Sequence, residues 1–188
     1  MVAYRIEPLT EAQADQVARW RYPAPYSVYD VGAAGAAGML TPEYEYHGVG
    51  VDGELVGFCC FGVDAQVPVG RTAGWYEGDG LDVGLGLRPD RTGRGEGAAF
   101  LAAVLRFAEE RYGAALVRLT VASFNARARS VYEAAGFVLV GESPDGTFLL
   151  LARRLDGGAG PAGDGRPGNG ARTAGDGRPG VGHGHAGS

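Results

Sequence analysis

The sequence predicts an α/β or α+β domain with a mixed sheet. Strand and helix signals alternate over the first 155 residues. Two of the helical stretches carry a clear apolar face, and some strands follow one another as hairpins while others are separated by a helix.

Tyr4–Pro8 reads as a first strand. Thr10-Glu11-Ala12-Gln13 has the capping-box spacing and opens a helix to about Trp20. Residues 22–42 are rich in Tyr, Pro, Ala and Gly and carry at most a weak helix signal. Tyr44–Val51 and Leu55–Asp64 read as two strands joined at Asp52-Gly53, a hairpin turn signal. Leu81–Leu87 is another strand. A glycine-rich loop leads from it into a long helix, about Gly97 to Tyr112, with Phe100, Leu101, Val104, Leu105, Ala108 and Tyr112 on one face. A strand at Leu116–Val121 precedes a helix at Asn125–Ala135, with Gly136 placed as its C-cap. Phe137–Val140 and Thr147–Leu155 complete the strands.

Composition divides the chain at about residue 155. Of 34 glycines among 188 residues, 13 lie in residues 156–188, where AGDGRPG occurs twice, at 162–168 and 174–180. That stretch has one large aliphatic residue, Val181, and no aromatic, too little apolar surface to offset chain entropy. The expectation is one domain over residues 1–155 followed by a disordered tail over 156–188. Two histidines near the tail's end, His183 and His185, make a weak metal motif, and no metal site is expected.

Charge and cysteine usage exclude further classes. The net charge is −5 and all 17 basic residues are arginines, which argues against bulk binding of nucleic acid. No apolar run approaches the roughly 20 residues of a membrane span, and no secretory signal opens the chain. Cys59 and Cys60 are adjacent and badly placed to bridge each other. A cytoplasmic protein without nucleic-acid or membrane partners is the expectation, as a monomer or homodimer.

The loop Leu87-Arg88-Pro89-Asp90-Arg91-Thr92-Gly93-Arg94-Gly95-Glu96-Gly97 joins a strand to the long helix. Alternating glycines allow close approach of a backbone to a ligand, and the helix N-terminus favours an anion. Arg88, Arg91 and Arg94 add positive charge. A tight strand-to-helix turn with solvated arginines would use the same residues. Gly93-Arg94-Gly95-Glu96-Gly97-Ala98 also satisfies a dinucleotide fingerprint, but it lies mid-chain after a hairpin, and no acidic residue ends the next strand. With no lysine in the chain, a Walker motif is excluded. Downstream, Asn125 reads as an N-cap and Tyr132, two turns later on the same face, as a core aromatic with a polar tip.

Together these two segments resemble the GNAT family of acetyl-CoA-dependent N-acetyltransferases. The family's loop pattern, Arg/Gln-x-x-Gly-x-Gly/Ala, is similar to Thr92-Gly93-Arg94-Gly95-Glu96-Gly97, with Thr92 departing from the usual Arg or Gln. Its later pattern, Asn-x-x-Ala/Ser-x-x-x-Tyr-x-x-x-Gly-Phe, matches Asn125, Ala128, Tyr132, Gly136 and Phe137. The specific likeness covers residues 81–141. It implies a central, mostly antiparallel twisted sheet of six to seven strands flanked by about four helices.

The resemblance also implies a site. Acetyl-CoA would be the acyl donor, its pyrophosphate held by Thr92, Gly93, Arg94, Gly95, Glu96 and Gly97, with Arg91 or Arg94 supplying charge. Its pantetheine arm would pair with the strand backbone at Leu85 and Leu87. Tyr132 would be the general acid towards the coenzyme sulfur, and Asn125 would bond the pantetheine or a water. Asp82 is the candidate base or amine-binding group, with Glu77 and Asp79 as alternatives and direct proton loss to water as another. Trp20, Tyr22, Tyr26 and Tyr29, with Trp75 and Tyr76, either wall an acceptor pocket or pack a loop on the sheet. The acceptor implied is a primary amine of a small molecule or peptide. A catalytically silent acyl-CoA sensor of the same fold is the competing expectation.

Overall fold

The computed structural model describes residues 3–155 and the dipeptide 186–187. Seven strands form one sheet in the order β1-β2-β3-β4-β5-β7-β6. These are β1 (Arg5–Pro8), β2 (His47–Val51), β3 (Glu54–Phe61), β4 (Leu81–Leu87), β5 (Leu116–Ala122), β6 (Val138–Glu142) and β7 (Phe148–Arg154). The five helices are α1 (Glu11–Val17), α2 (Gly32–Gly38), α3 (Pro68–Thr72), α4 (Gly97–Tyr112) and α5 (Ala126–Ala134). The mixed, mostly antiparallel sheet agrees with the expected class. The tail expected over 156–188 lies outside the described residues, apart from β8 (Ala186–Gly187).

Local chemistry sets the element boundaries. Thr10 caps α1 with the reciprocal capping box, its hydroxyl accepting from Gln13 N–H while the Gln13 side chain accepts from Thr10 N–H. The helix stops at Val17, three residues short of the expected Trp20. At the β2–β3 hairpin, Asp52 and Gly53 both have positive φ (51° and 84°), as a two-residue type I′ turn requires. The illegible stretch 22–42 folds as a single 3₁₀ turn, Tyr26–Tyr29, followed by α2. The sequence of α2 is GAAGAAG, and it has no large apolar side chain that would mark a face. Short α3, between β3 and β4, carries no pattern of its own and was not expected.

The sheet has a core on each face. One contains α4 and α5: Phe100, Leu101, Val104 and Tyr132 pack there on Val83, Leu85, Leu87, Leu119 and Val121. The other contains α1 and α2: Ala14, Val17 and Ala36 pack with Leu55, Phe58 and Cys60. Strand alternation sends Cys59 to the first core and Cys60 to the second, so the two thiols remain free and buried.

The central feature is the junction of β4 and β5. All the other pairs among β1–β7 are antiparallel; these two are parallel, and they pair only at Leu81↔Val117 and Asp82↔Arg118. Beyond Asp82 they diverge, which leaves one edge of β4 available along Val83–Leu87. A buried ion pair sits where they part. Arg118 Nε lies 2.6 Å from Asp82 Oδ1, and Nη2 lies 3.1 Å from Oδ2, with 7% and 5% of the two side chains exposed. Arg118 also donates to the carbonyls of Glu77 (2.8 Å), Gly80 (2.8 Å) and Tyr76 (3.1 Å), which ties the loop before β4 to β5.

Removing one partner of such a pair strands the other charge in the core, a loss of about 3–5 kcal/mol. Arg118→Met should therefore lower the unfolding free energy in urea by about that amount. A loss under about 1 kcal/mol would show that the pair does not hold the junction.

Candidate functional site

The loop from β4 to α4 wraps the N-terminus of α4. Gly93 and Gly95 have φ of +74° and +80°, a region closed to most side chains, so the spacing of these glycines has a backbone cause. Thr92, the residue that departs from the family pattern, turns inward: its hydroxyl donates to the Pro89 carbonyl at 2.8 Å. Its one hydroxyl proton is thus engaged within the loop.

Two of the three loop arginines are paired with carboxylates. Arg88 pairs with Asp90 at 2.7 Å and with Glu54 at 3.5 Å. Arg91 pairs with Glu96 at 3.3 Å and Glu54 at 3.4 Å, which also accounts for the Glu96 side chain. Arg91 and Arg94 line a cavity of about 710 Å³ together with Tyr4, Glu54 and Glu96, on the hairpin side of the loop. A second cavity of about 480 Å³ lies on the α5 side. Leu87, Gly93, Gly95, Gly97 and Ala98 form one wall, and Arg127, Ser130, Val131 and Ala134 of α5 form the other. Only Gly95 borders both cavities.

Asn125 and Tyr132 meet a common neighbour. The Asn125 carbonyl accepts from Ala128 N–H (3.1 Å), capping α5, while its amide donates to the Tyr29 hydroxyl at 3.3 Å. Tyr132 is wholly buried, and its hydroxyl has no hydrogen-bond partner among the described residues. Burial, and then the nearby Tyr29, push the Tyr132 phenol well above its ordinary range. A buried donor without a partner costs about 1–3 kcal/mol, and such atoms mark places where an external group completes the bonding.

The aromatic residues expected to act together divide. Tyr22 and Tyr29 pack edge to face at 6.5 Å, and Phe124 joins them, stacked on Tyr29 (6.1 Å) and tilted on Tyr26 (5.8 Å). The Tyr22 hydroxyl donates to the Leu87 carbonyl at 2.8 Å, so this wall touches the end of β4. Trp20 stacks instead on Phe58, on the α1 side. Trp75 and Tyr76 pack near Arg118, with the Tyr76 hydroxyl 2.8 Å from the Thr120 hydroxyl.

Asp82, the candidate base or amine-binding group, lies in a buried ion pair. It is 4% exposed, and Arg118 and Gln66 (2.7 Å) both donate to it. Burial raises its carboxyl above the usual range and the two donors oppose that rise. It joins the two strands at their last paired position. Two residues were missed in the sequence. Phe124, 43% exposed, precedes the N-cap and carries no motif. Arg127 lies inside the Asn125–Phe137 motif, at a position the pattern leaves open.

Leu85 and Leu87 lie on the stretch of β4 that diverges from β5. The dipeptide β8 pairs with β4 in parallel there, Leu85↔Ala186 and Gly86↔Gly187. The free edge of β4 thus accepts an extended backbone. No group of three or more His, Cys, Asp or Glu side chains is placed to hold a metal ion among the described residues. No described helix is long and apolar enough to cross a membrane.

These features define an acyltransferase fold, and the comparisons agree. The model of the acetyltransferase (GNAT) family matches residues 11–137. The chain belongs to the GNAT acetyltransferase family. No curated protein sequence matches it. Among solved structures, yncA of Salmonella typhimurium, held with its cofactor acetyl-CoA, superposes with a TM-score of 0.57 at 17% identity, over 87% of this chain and 99% of that one. The aminoglycoside acetyltransferase AAC(6')-Ib in complex with coenzyme A gives 0.60 at 19% identity, over 82% and 96%. The N-acetyltransferase PseH of Campylobacter jejuni gives 0.58 at 14%, over 81% and 98%. At these identities the likeness is one of fold.

The N-cap carries a direct prediction. Asn125→Ala should cost about 1–2 kcal/mol in urea unfolding, and Asn125→Ser should recover most of it, because serine also caps. Equal losses for the two would point to the Tyr29 contact as the main contribution.

Proposed function

We propose that this chain is an acetyl-CoA-dependent N-acetyltransferase acting on a primary amine of a small molecule or peptide. The observation that carries the proposal is the unpartnered, buried Tyr132 hydroxyl on the same face of the sheet as the free edge of β4. In this reading the coenzyme's pantetheine bonds to the β4 backbone at Leu85 and Leu87. The amides of Gly93, Arg94, Gly95, Glu96 and Gly97, at the start of α4, receive the pyrophosphate. The Thr92 hydroxyl donates no bond to the phosphates in this reading, since its proton goes to the Pro89 carbonyl.

The chemistry follows from these positions. A neutral amine nitrogen attacks the thioester carbonyl carbon. The carbon–sulfur bond then breaks and the sulfur takes the Tyr132 proton, while the amine loses its own proton to water. Asp82 pins the strands that frame the reaction and takes no proton. The elevated Tyr132 pKa keeps the phenol protonated through neutral pH, as a leaving-group acid requires. The Tyr22, Tyr26, Tyr29 and Phe124 surface walls the acceptor side. The silent-sensor alternative has no use for a buried acid at this position.

A screen of amines that follows release of free CoA tests the proposal. With an active acceptor, Tyr132→Phe should lower kcat by about 100-fold or more while the Kd for CoA stays within about twofold. Unchanged kcat would remove the acid role. CoA binding without turnover of any amine class would favour the sensor. Because Tyr132 is raised above the ordinary phenol value, its deprotonation should cause no fall in kcat up to about pH 10. A fall with an apparent pKa near 8 that disappears in Tyr132→Phe would contradict the assignment.

The proposed pantetheine edge is also the edge that β8 occupies, so the two exclude each other. Deleting residues 183–188 should tighten CoA binding several-fold in calorimetry. Weaker binding after the deletion would mean that this segment supports the coenzyme.

A further inference from the structure

Strand β6 closes one end of the sheet, with β7 as its single neighbour. Its outer edge therefore presents backbone groups without a ladder partner among the described strands. The strand reads Val138-Leu139-Val140-Gly141-Glu142, and its first three side chains are 45%, 56% and 39% exposed. No other exposed large hydrophobics are consecutive among the described residues. Edge strands of soluble proteins ordinarily carry charge or proline at such positions, and β6 has neither before Glu142. A register shift between Leu139 and Gly141 shortens any regular ladder, so a partner must also be held by side chains.

The register with β7 sorts those side chains. Leu139 pairs with Leu151 and Glu142 with Leu149, both in the core that contains α4 and α5, so Leu139 and Glu142 stand on that face. Val138 and Gly141 stand on the other, where a Cβ built on Gly141 would lie 3.3 Å from Trp75 Nε1. Arg153 follows Leu149 and Leu151 at the period of two and shares the face of Leu139 and Glu142. Its Nε reaches over Gly136, just ahead of β6, where a Cβ would lie 3.9 Å from it. A cation thus marks one end of the strand and a carboxylate the other, on one face of the sheet. Neither has an ion-pair partner among the described residues.

An antiparallel copy of the strand, related by a two-fold axis through Val140 and perpendicular to the sheet, satisfies both features at once. Apolar residues fall on apolar residues. The Arg153 end of each strand falls beside the Glu142 end of the other, on the same face. A parallel copy would set like charge against like. Segment 156–188 of the same chain is poorly suited as the cover, with Val181 as its one large aliphatic residue and no aromatic.

We infer that β6 is the dimerisation strand of this protein: two copies join edge to edge through Val138–Val140, with Arg153 of each chain facing Glu142 of the partner subunit. The two sheets then run on as one across the axis. The free edge of β4 stays clear of the contact, with β5 and β7 between them.

Sedimentation equilibrium of the full chain over a range of concentrations tests this. The wild type should reach twice the 19.4 kDa mass of one chain. Leu139→Asp puts a carboxylate from each copy at the centre of the contact and should weaken association by about 30-fold or more, the scale of a central interface residue. An unchanged far-ultraviolet spectrum would establish that this variant is folded. Glu142→Arg and Arg153→Glu should each weaken the dimer by about 10-fold, and the two in one chain should restore most of it, because each pair is rebuilt with its charges exchanged. A structural loss within one chain would not be repaired in this way. A wild type that keeps the mass of one chain at the highest concentration reached would overturn the inference. Slow amide exchange at 138–140 in such a monomer would assign the strand to the chain's own tail. A dimer that survives Leu139→Asp and ignores the charge reversals would use another surface and would overturn it as well.

Discussion

The ion pair of Asp82 and Arg118 sits at the point on which the architecture depends. Two parallel strands pair for two residues and then part, and the pair occupies the last paired position. A parting of strands in the middle of a sheet exposes backbone groups that ordinarily find partners in the ladder. Something must prevent the strands from zipping further and something must fix where the parting begins. Arg118 fixes it by binding Asp82 across the strands and three carbonyls of the preceding loop. A hydrophobic pair would pack as well, but it could not hold those carbonyls. The charges therefore specify geometry more than they add stability.

From that junction the site follows in order along the chain. β4 runs out with one edge open, turns through Gly93 and Gly95 at positive φ, and delivers its loop to the start of α4. On the far side β5 runs into Asn125, which caps α5 and aligns Tyr132 two turns along. The distribution of arginine adds selectivity within this frame. In a chain without lysine, carboxylates pair with Arg88 and Arg91, Arg94 lines the cavity on the hairpin side, and Arg127, more than 30 residues on, lines the one on the α5 side.

What the sequence revealed and what it hid have separate physical causes. The capping box at Thr10, the Asp52-Gly53 turn and the one-faced helix α4 were legible because each is a local rule with a local cause. The glycine loop and the Asn125–Phe137 motif were legible because they constrain backbone shape and spacing. Residues 22–42 were not, since a Gly/Ala helix such as α2 buries only small side chains and leaves no periodic trace. The pairing of Asp82 was not legible, because its partner Arg118 is 36 residues away and a paired and an unpaired carboxylate look alike in a string of letters.

The central claim is that the diverging edge of β4 is where the coenzyme binds. A crystal structure of the chain with CoA tests it most directly. The account predicts the pantetheine in hydrogen bonds with the β4 backbone at Leu85 and Leu87, the sulfur beside the Tyr132 hydroxyl, and Ala186–Gly187 displaced from the strand. CoA seated in the larger cavity beside Tyr4 and Glu54, with β8 still paired to β4, would contradict it.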